Sequence, residues 1–124
     1  MSPQLEKHSA EMLIPVPALL LTDDDLAGIL RMTTDWVRFH APDIPGFKRL
    51  GSYFRFSRLV VEQWLGGLEP LLEAEQVAEL MLVPKSWVYA NGDQLPGVLR
   101  LGRYVRFRPA ALLPFLAGSE VVQQ

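Results

Sequence analysis

Arg49-Leu50-Gly51-Ser52-Tyr53-Phe54-Arg55-Phe56 and Arg100-Leu101-Gly102-Arg103-Tyr104-Val105-Arg106-Phe107 are two writings of one segment, set 51 positions apart. Outward from them in the same register, Leu20–Leu65 falls on Leu71–Leu116 without a gap. About 14 of some 46 aligned positions are identical, against about two or three for unrelated chains. Pro45-Gly46 meets Pro96-Gly97, Trp36-Val37 meets Trp87-Val88, Ala27 meets Ala78 and Leu21 meets Leu72. The chain is therefore one unit written twice. The expected division is an arm over 1–19, a first domain over 20–65, a short linker over 66–70, a second domain over 71–116 and a tail over 117–124. Each unit is near the size below which a lone core is marginal, so the two are expected to share an interface or support each other. The spacer Gly66-Gly67-Leu68-Glu69-Pro70 is too short for independent tumbling, and a third copy does not fit, which argues against an open solenoid.

Composition narrows the chemistry. The 124 residues are 49% hydrophobic and 21% charged, a well-cored globular balance rather than a disordered one. The absence of cysteine removes disulfides, thiolate zinc sites and cysteine nucleophiles, and His8 and His40 are too far apart for a histidine-rich metal cluster. No Gly-rich phosphate loop, Ser–His–Asp arrangement or convincing carboxylate pair is present, so no catalytic residue, cofactor or metal is expected and the chain is read as non-enzymatic. The longest apolar stretch, Met12–Leu21, is broken by Pro15 and Pro17 and is far short of the roughly 20 residues of a membrane span. It lacks the pattern of a secretory signal, so a cytoplasmic location is expected.

The local signals set the elements. Thr22 with Asp25 three residues on has capping-box spacing, and Asp23, Asp24 and Asp25 suit the positive end of a helix. Leu26, Ile29 and Leu30 give the apolar stripe, and Val77, Leu80 and Met81 repeat it, with Glu73 at the cap. A tight turn at Arg31-Met32 leads to a second helix capped by Thr33; Pro84 stands at the matching place. Pro42, Pro45 and Gly46 stop the helical pattern, and Phe47–Leu50 and Tyr53–Phe56 read as a two-stranded hairpin around Gly51-Ser52. With a two-residue turn, Phe47, Arg49, Phe54 and Phe56 share one face, expected to meet the core, and Lys48, Leu50, Tyr53 and Arg55 the other. Ser57 caps a last helix expected to pack through Leu59, Val60 and Trp64. Pro109 opens its counterpart, which Pro114 should kink or shorten.

Helix, turn, helix, two-stranded wing, helix is the winged helix-turn-helix order, so the fold class expected is mainly α with small β-hairpins (α+β), as two tandem winged helix-turn-helix domains. Each copy resembles the excisionase-like branch of the MerR-like DNA-binding domains. The resemblance rests on Leu21-Thr22-x-x-x-Leu26-Ala27, Trp36-Val37, Ile44-Pro45, Arg49-Leu50-Gly51, Arg55-Phe56 and Trp64-Leu65 with their counterparts, about three quarters of the chain. It implies a bacterial or phage-encoded regulator of a mobile element: an excisionase, recombination directionality factor or small transcription regulator. The second helix would enter a major groove and the wing would lie on the backbone or in the minor groove. Its partners would be double-stranded DNA and an integrase, recombinase or RNA polymerase, and the chain would act as a monomer with an internal pseudo-dimer or as a homodimer.

DNA reading needs hydrogen-bonding groups at the start of the second helix and cations on the hairpin. Copy one offers Thr33, Thr34 and Arg38 with Lys48, Ser52 and Arg55; copy two offers Lys85, Ser86 and Tyr89 with Arg103, Arg106 and Arg108. A net charge of -2 opposes nucleic-acid binding overall, but the acidic residues cluster in the first helix of each copy while the cations follow Lys85. Asp35 in the proposed recognition helix would repel phosphate unless it accepts from a cytosine amino group, so copy two is expected to bind more strongly. Trp36 and Trp87 are assigned to the core, Tyr53 and Tyr104 either to the wing surface or to phosphate, and Arg49 and Arg100 either to a first-helix carboxylate or to DNA. His40 is read as a dipole partner or solvated residue, and Asp23–Asp25 as a cap rather than a cation site. The competing reading is a protein-interaction adaptor or anti-regulator that keeps the fold without binding DNA, its apolar arm docking into a partner.

Overall fold

A computed structural model describes residues 18–118. Over the described residues the chain is α+β, with six α-helices and two three-stranded antiparallel sheets in two units of the same element order. Unit one runs β1 (Leu20–Thr22), α1 (Asp23–Leu30), α2 (Thr34–His40), a 3-10 turn (Ala41–Asp43), β2 (Phe47–Leu50), β3 (Tyr53–Ser57) and α3 (Arg58–Leu65). Unit two runs β4 (Leu72–Glu73), α4 (Ala74–Met81), α5 (Lys85–Asn91), a 3-10 turn (Gly92–Gln94), β5 (Val98–Leu101), β6 (Tyr104–Phe107) and α6 (Pro109–Leu116). Most of the apolar arm, Met12–Leu21, and of the tail lies outside the described residues.

The caps form as the spacing predicts. The Thr22 hydroxyl accepts from the Asp25 N–H and the Asp25 carboxylate from the Thr22 N–H, both at 3.0 Å. In unit two the Gln76 side chain accepts from the Glu73 N–H at 2.9 Å. Leu26 and Leu30 are fully buried, as is Val77. Arg31 and Leu82 close α1 and α4 in the left-handed conformation, with φ of 56° and 59°, so the two units turn into their second helices alike.

Each sheet gains a strand that the sequence reading omits. Leu20–Thr22 pairs with β3 through Leu21↔Phe56, giving the order β1-β3-β2, and β4-β6-β5 repeats it. A strand of three residues carries too little alternation to be recognised, and the apolar run before the cap reads as arm. The hairpin registers agree with a two-residue turn, Leu50↔Tyr53 and Leu101↔Tyr104. Gly51 and Gly102 both have φ of 63° while the residues after them do not turn positive, as a type II′ turn requires. Phe56 and Phe107 are fully buried from the expected face.

Four packing expectations are corrected. The last helix of unit one buries Val61 and Leu65, while Leu59 and Val60 face water; Trp64 packs against the core as expected. Leu80 is 51% exposed although its counterpart Ile29 packs on the first core, and Trp87 is 39% exposed although Trp36 is packed. α6 keeps the eight-residue length of α3 despite Pro114. Ala110, whose carbonyl loses its helical partner to that proline, lies exposed where water can reach it.

The Pro-Gly pairs close each unit. The carbonyls of Gly46 and Gly97 accept from the N–H groups of Ser57 and Arg108 at 2.8 Å, tying the hairpin's start to the last helix. Gly97 has φ of +87°, and a Cβ there would stand 2.9 Å from the Arg108 carbonyl oxygen. Gly97→Ala is therefore expected to destabilise by about 1–2 kcal/mol in denaturant titration. Gly28→Ala, in α1 with nothing within 4 Å of the added methyl, should stabilise by about 0.5–1 kcal/mol.

The units are not separate bodies. Leu71 and Leu101 from unit two sit in the core of unit one beside Leu26, Leu30, Val37 and Val61, and Leu99 packs against it. The Leu71 N–H donates to the Ile29 carbonyl at 2.8 Å, and the Arg31 side chain donates back to the Leu71 carbonyl at 2.6 Å. Arg106 donates to the carbonyls of Leu30 and Arg31 at 3.0 and 2.7 Å, and Arg108 to that of Trp64 at 3.0 Å. These bonds satisfy carbonyls that the ends of α1 and α3 leave unpaired.

Candidate nucleic-acid interface

The surface formed by the second helix and the hairpin tip differs between the units because the first helices differ. In unit one, Asp23 and Asp24 reach across to α2. The Arg38 guanidinium donates to Asp23 at 2.6 Å and lies 4.7 Å from the Phe54 ring centre, and the Thr34 hydroxyl donates to Asp24 at 2.7 Å. Thr33 accepts from the Trp36 N–H as the cap of α2. The three residues expected to face DNA from this helix are thus engaged within the unit, and Asp35 stands exposed among them.

The Arg38 hydrogen bond, against the opposing effect of burial, holds the Asp23 carboxyl below its ordinary value. A depressed folded-state value contributes stability that is present above the unfolded carboxylate range and is lost as pH falls through the folded value. Carboxyl titration by NMR should place the Asp23 midpoint below 3.8, and Arg38→Ala should return it toward that value.

Unit two lacks this clasp. Ala74 and Glu75 stand where unit one has Asp23 and Asp24, and Ser86 replaces Asp35. Lys85, Ser86 and Tyr89 are exposed on α5 and, among the described residues, make no side-chain hydrogen bond within the chain. At the hairpin tip Arg103 is exposed, its guanidinium 5.4 Å from the Tyr104 ring centre, and Lys48 and Ser52 are exposed on the matching hairpin of unit one.

The other hairpin cations point elsewhere. Arg106 and Arg108, expected on the wing toward DNA, are spent on carbonyls of unit one, because the face of the sheet that carries Leu99, Leu101 and Arg106 packs on unit one. Arg55, at the position of Arg106, is half-buried, donates to the Phe54 carbonyl at 2.8 Å and lies 5.1 Å from the Tyr53 ring. Arg100 pairs with Asp93 of the 3-10 turn at 2.7 Å, not with a first-helix carboxylate, and Arg49 lies 5.2 Å from the Phe54 ring. His40 stacks on Trp36 at 4.0 Å and bonds through Nδ1 to the Trp36 carbonyl at 2.9 Å.

Of the twelve expected contact residues, Lys48, Ser52, Lys85, Ser86 and Tyr89 are exposed, Thr33 and Arg103 are exposed but make local hydrogen bonds with the Trp36 N–H and the Tyr104 hydroxyl, and Thr34, Arg38, Arg55, Arg106 and Arg108 donate to partners inside the chain. The sequence signal for this division was available in part: charge complementarity between Asp23 and Arg38, fifteen positions apart, is visible once both helices are drawn. Among the described residues there is no group of three or more potential metal ligands, and no helix is long and apolar enough to cross a membrane. Compared with known proteins, the chain matches no family model, no curated protein and no solved structure.

Proposed function

We propose that the chain is a sequence-specific double-stranded DNA-binding protein whose two units are tandem winged helix-turn-helix domains. It would act as a transcription regulator or recombination accessory factor of a mobile element. The observation that carries the reading is the surface of unit two: a second helix opening on exposed Lys85, Ser86 and Tyr89, and a hairpin ending in exposed Arg103. A cation and hydroxyls at a helix start can reach base edges and phosphates, and a cationic hairpin tip can lie on the backbone. Unit one contributes Lys48 and Ser52 as weaker, positioning contacts, its helix being clasped by Asp23 and Asp24.

Selection of bound genomic fragments should yield a site with a footprint of about 15–20 base pairs. Lys85→Ala with Arg103→Ala in the full chain should lower affinity about tenfold or more and make the log–log salt slope shallower by about two, because two phosphate contacts are lost. Asp23→Asn, by releasing Arg38, should raise affinity. Binding indifferent to salt and to the double substitution overturns the proposal. It would favour the adaptor reading, which the internal pairing of Thr34, Arg38, Arg106 and Arg108 motivates.

A further inference from the structure

The contact between the units is one-sided. Unit one contributes the end of α1 and the turn after it, with Trp36 and Trp64; unit two contributes Leu71, just before β4, with Leu101 and Arg106 from its sheet. Shifted by 51 positions, both halves of that contact recur on the opposite units, where Leu20 and Arg55 are half-buried and the large apolar side chains are exposed. Leu80, Leu82, Trp87 and Phe115, at the places of Ile29, Arg31, Trp36 and Trp64, are 51%, 90%, 39% and 38% exposed. Leu50 and Tyr53, at the places of Leu101 and Tyr104, are 49% and 61% exposed, whereas Leu101 inside the contact is 6% exposed.

We propose that the chain associates head to tail with further copies of itself. The unit-one sheet of one copy would seat on the α4, α5 and α6 face of unit two of the next, repeating the contact that already joins the units. Three observations support a second copy as the occupant. The receiving backbone is the same: Leu82 holds φ of 59° where Arg31 holds 56°, so the carbonyls of Met81 and Leu82 are offered as those of Leu30 and Arg31 are, and Arg55 supplies the guanidinium that Arg106 supplies internally.

The second observation is a cavity of about 550 Å³ on unit one, lined by Leu19, Leu20, Lys48, Ser57, Arg58 and Leu59. It lies at the register positions with which unit two receives the end of α3, where Arg108 bonds the Trp64 carbonyl and Ala110 approaches Gly66. The segment that would fill it is the end of α6 around Phe115. The third is Leu82 itself, a large apolar side chain in the left-handed conformation that glycine would adopt without strain, retained where it is almost wholly exposed.

The contact between copies is weaker than the internal one, since Leu82 and Ser57 replace Arg31 and Arg108 and two guanidinium bonds are lost. Association is therefore reversible. Because the two surfaces differ, it extends as an open series or closes as a ring rather than stopping at a two-fold dimer.

Sedimentation of the full chain without DNA tests this. The average mass should rise at least about twofold above 14.0 kDa between about 10 µM and about 1 mM. Leu50→Glu removes one surface and Leu82→Glu the other, both at exposed positions. Each variant alone should stay at 14.0 kDa with an unchanged melting temperature, and an equimolar mixture should form a dimer that grows no further. A wild-type chain that stays monomeric throughout overturns the proposal, as does a mixture without dimer or a dimer that persists in either variant alone. None of these readouts involves DNA, so they stand or fall apart from the proposed function.

Discussion

Leu71→Ala is expected to lower the unfolding free energy by about 3 kcal/mol, and the melting temperature by about 10 °C. Leu71 is fully buried, yet it belongs by sequence to unit two and by packing to the core of unit one. Truncation removes a transfer contribution and leaves a cavity between Leu26, Leu30 and the end of α1, a region held by backbone hydrogen bonds that limit collapse. Leu20→Ala, at the same position of the repeat, should cost about 1 kcal/mol, because Leu20 is only half-buried. Loss of cooperativity in Leu71→Ala, with two transitions replacing one, would report units that unfold separately once the shared core is broken. Equal costs at the two positions would show that the units do not share a core.

Arg106→Ala should destabilise by about 2–3 kcal/mol, since hydrogen bonds from a charged donor are worth more than neutral ones and the partners left behind are carbonyls at a helix end. Its guanidinium serves Leu30, Arg31 and its neighbour Val105 at 3.0, 2.7 and 2.9 Å, and approaches the Met32 sulfur at 3.2 Å. Arg55→Ala is the internal control. It has the same strand position and the same bond to the preceding carbonyl, but its guanidinium has no second unit to meet within the chain, so a cost under about 1 kcal/mol is expected in dilute protein. Chemical denaturation of the two variants side by side decides the matter; similar costs would show that the inter-unit bonds add nothing.

The pairing of these arginines explains where sequence reasoning about the candidate interface succeeded and where it stopped. Arg55-Phe56 and Arg106-Phe107 look like one feature repeated, and alternation assigns both arginines to a cationic wing. That assignment follows from strand geometry and is sound for a lone hairpin. It fails for Arg106 because a neighbouring unit supplies carbonyls on that side. In the same way Trp87 inherits an apolar stripe from the repeat but not the partner that covers Trp36, and Leu80 inherits the stripe of Ile29 without the Leu71 backbone against it. The engaged states of Thr34 and Arg38 also lie beyond local reading, as they depend on how closely α1 and α2 approach.

What the sequence determined by itself is the unit: its duplication, the capping box at Thr22, the left-to-right order of helices and hairpin, the two-residue turns at Gly51 and Gly102, and the burial of Phe56 and Phe107. Those follow from propensities and periodicities that act within a few residues, and they repeat because the residues repeat. Only the tertiary structure decided which of two corresponding surfaces is covered. Burial and hydrogen bonding between units depend on contacts 40 to 76 positions apart. A head-to-tail join also gives each repeated residue a different environment according to the side on which its neighbour lies.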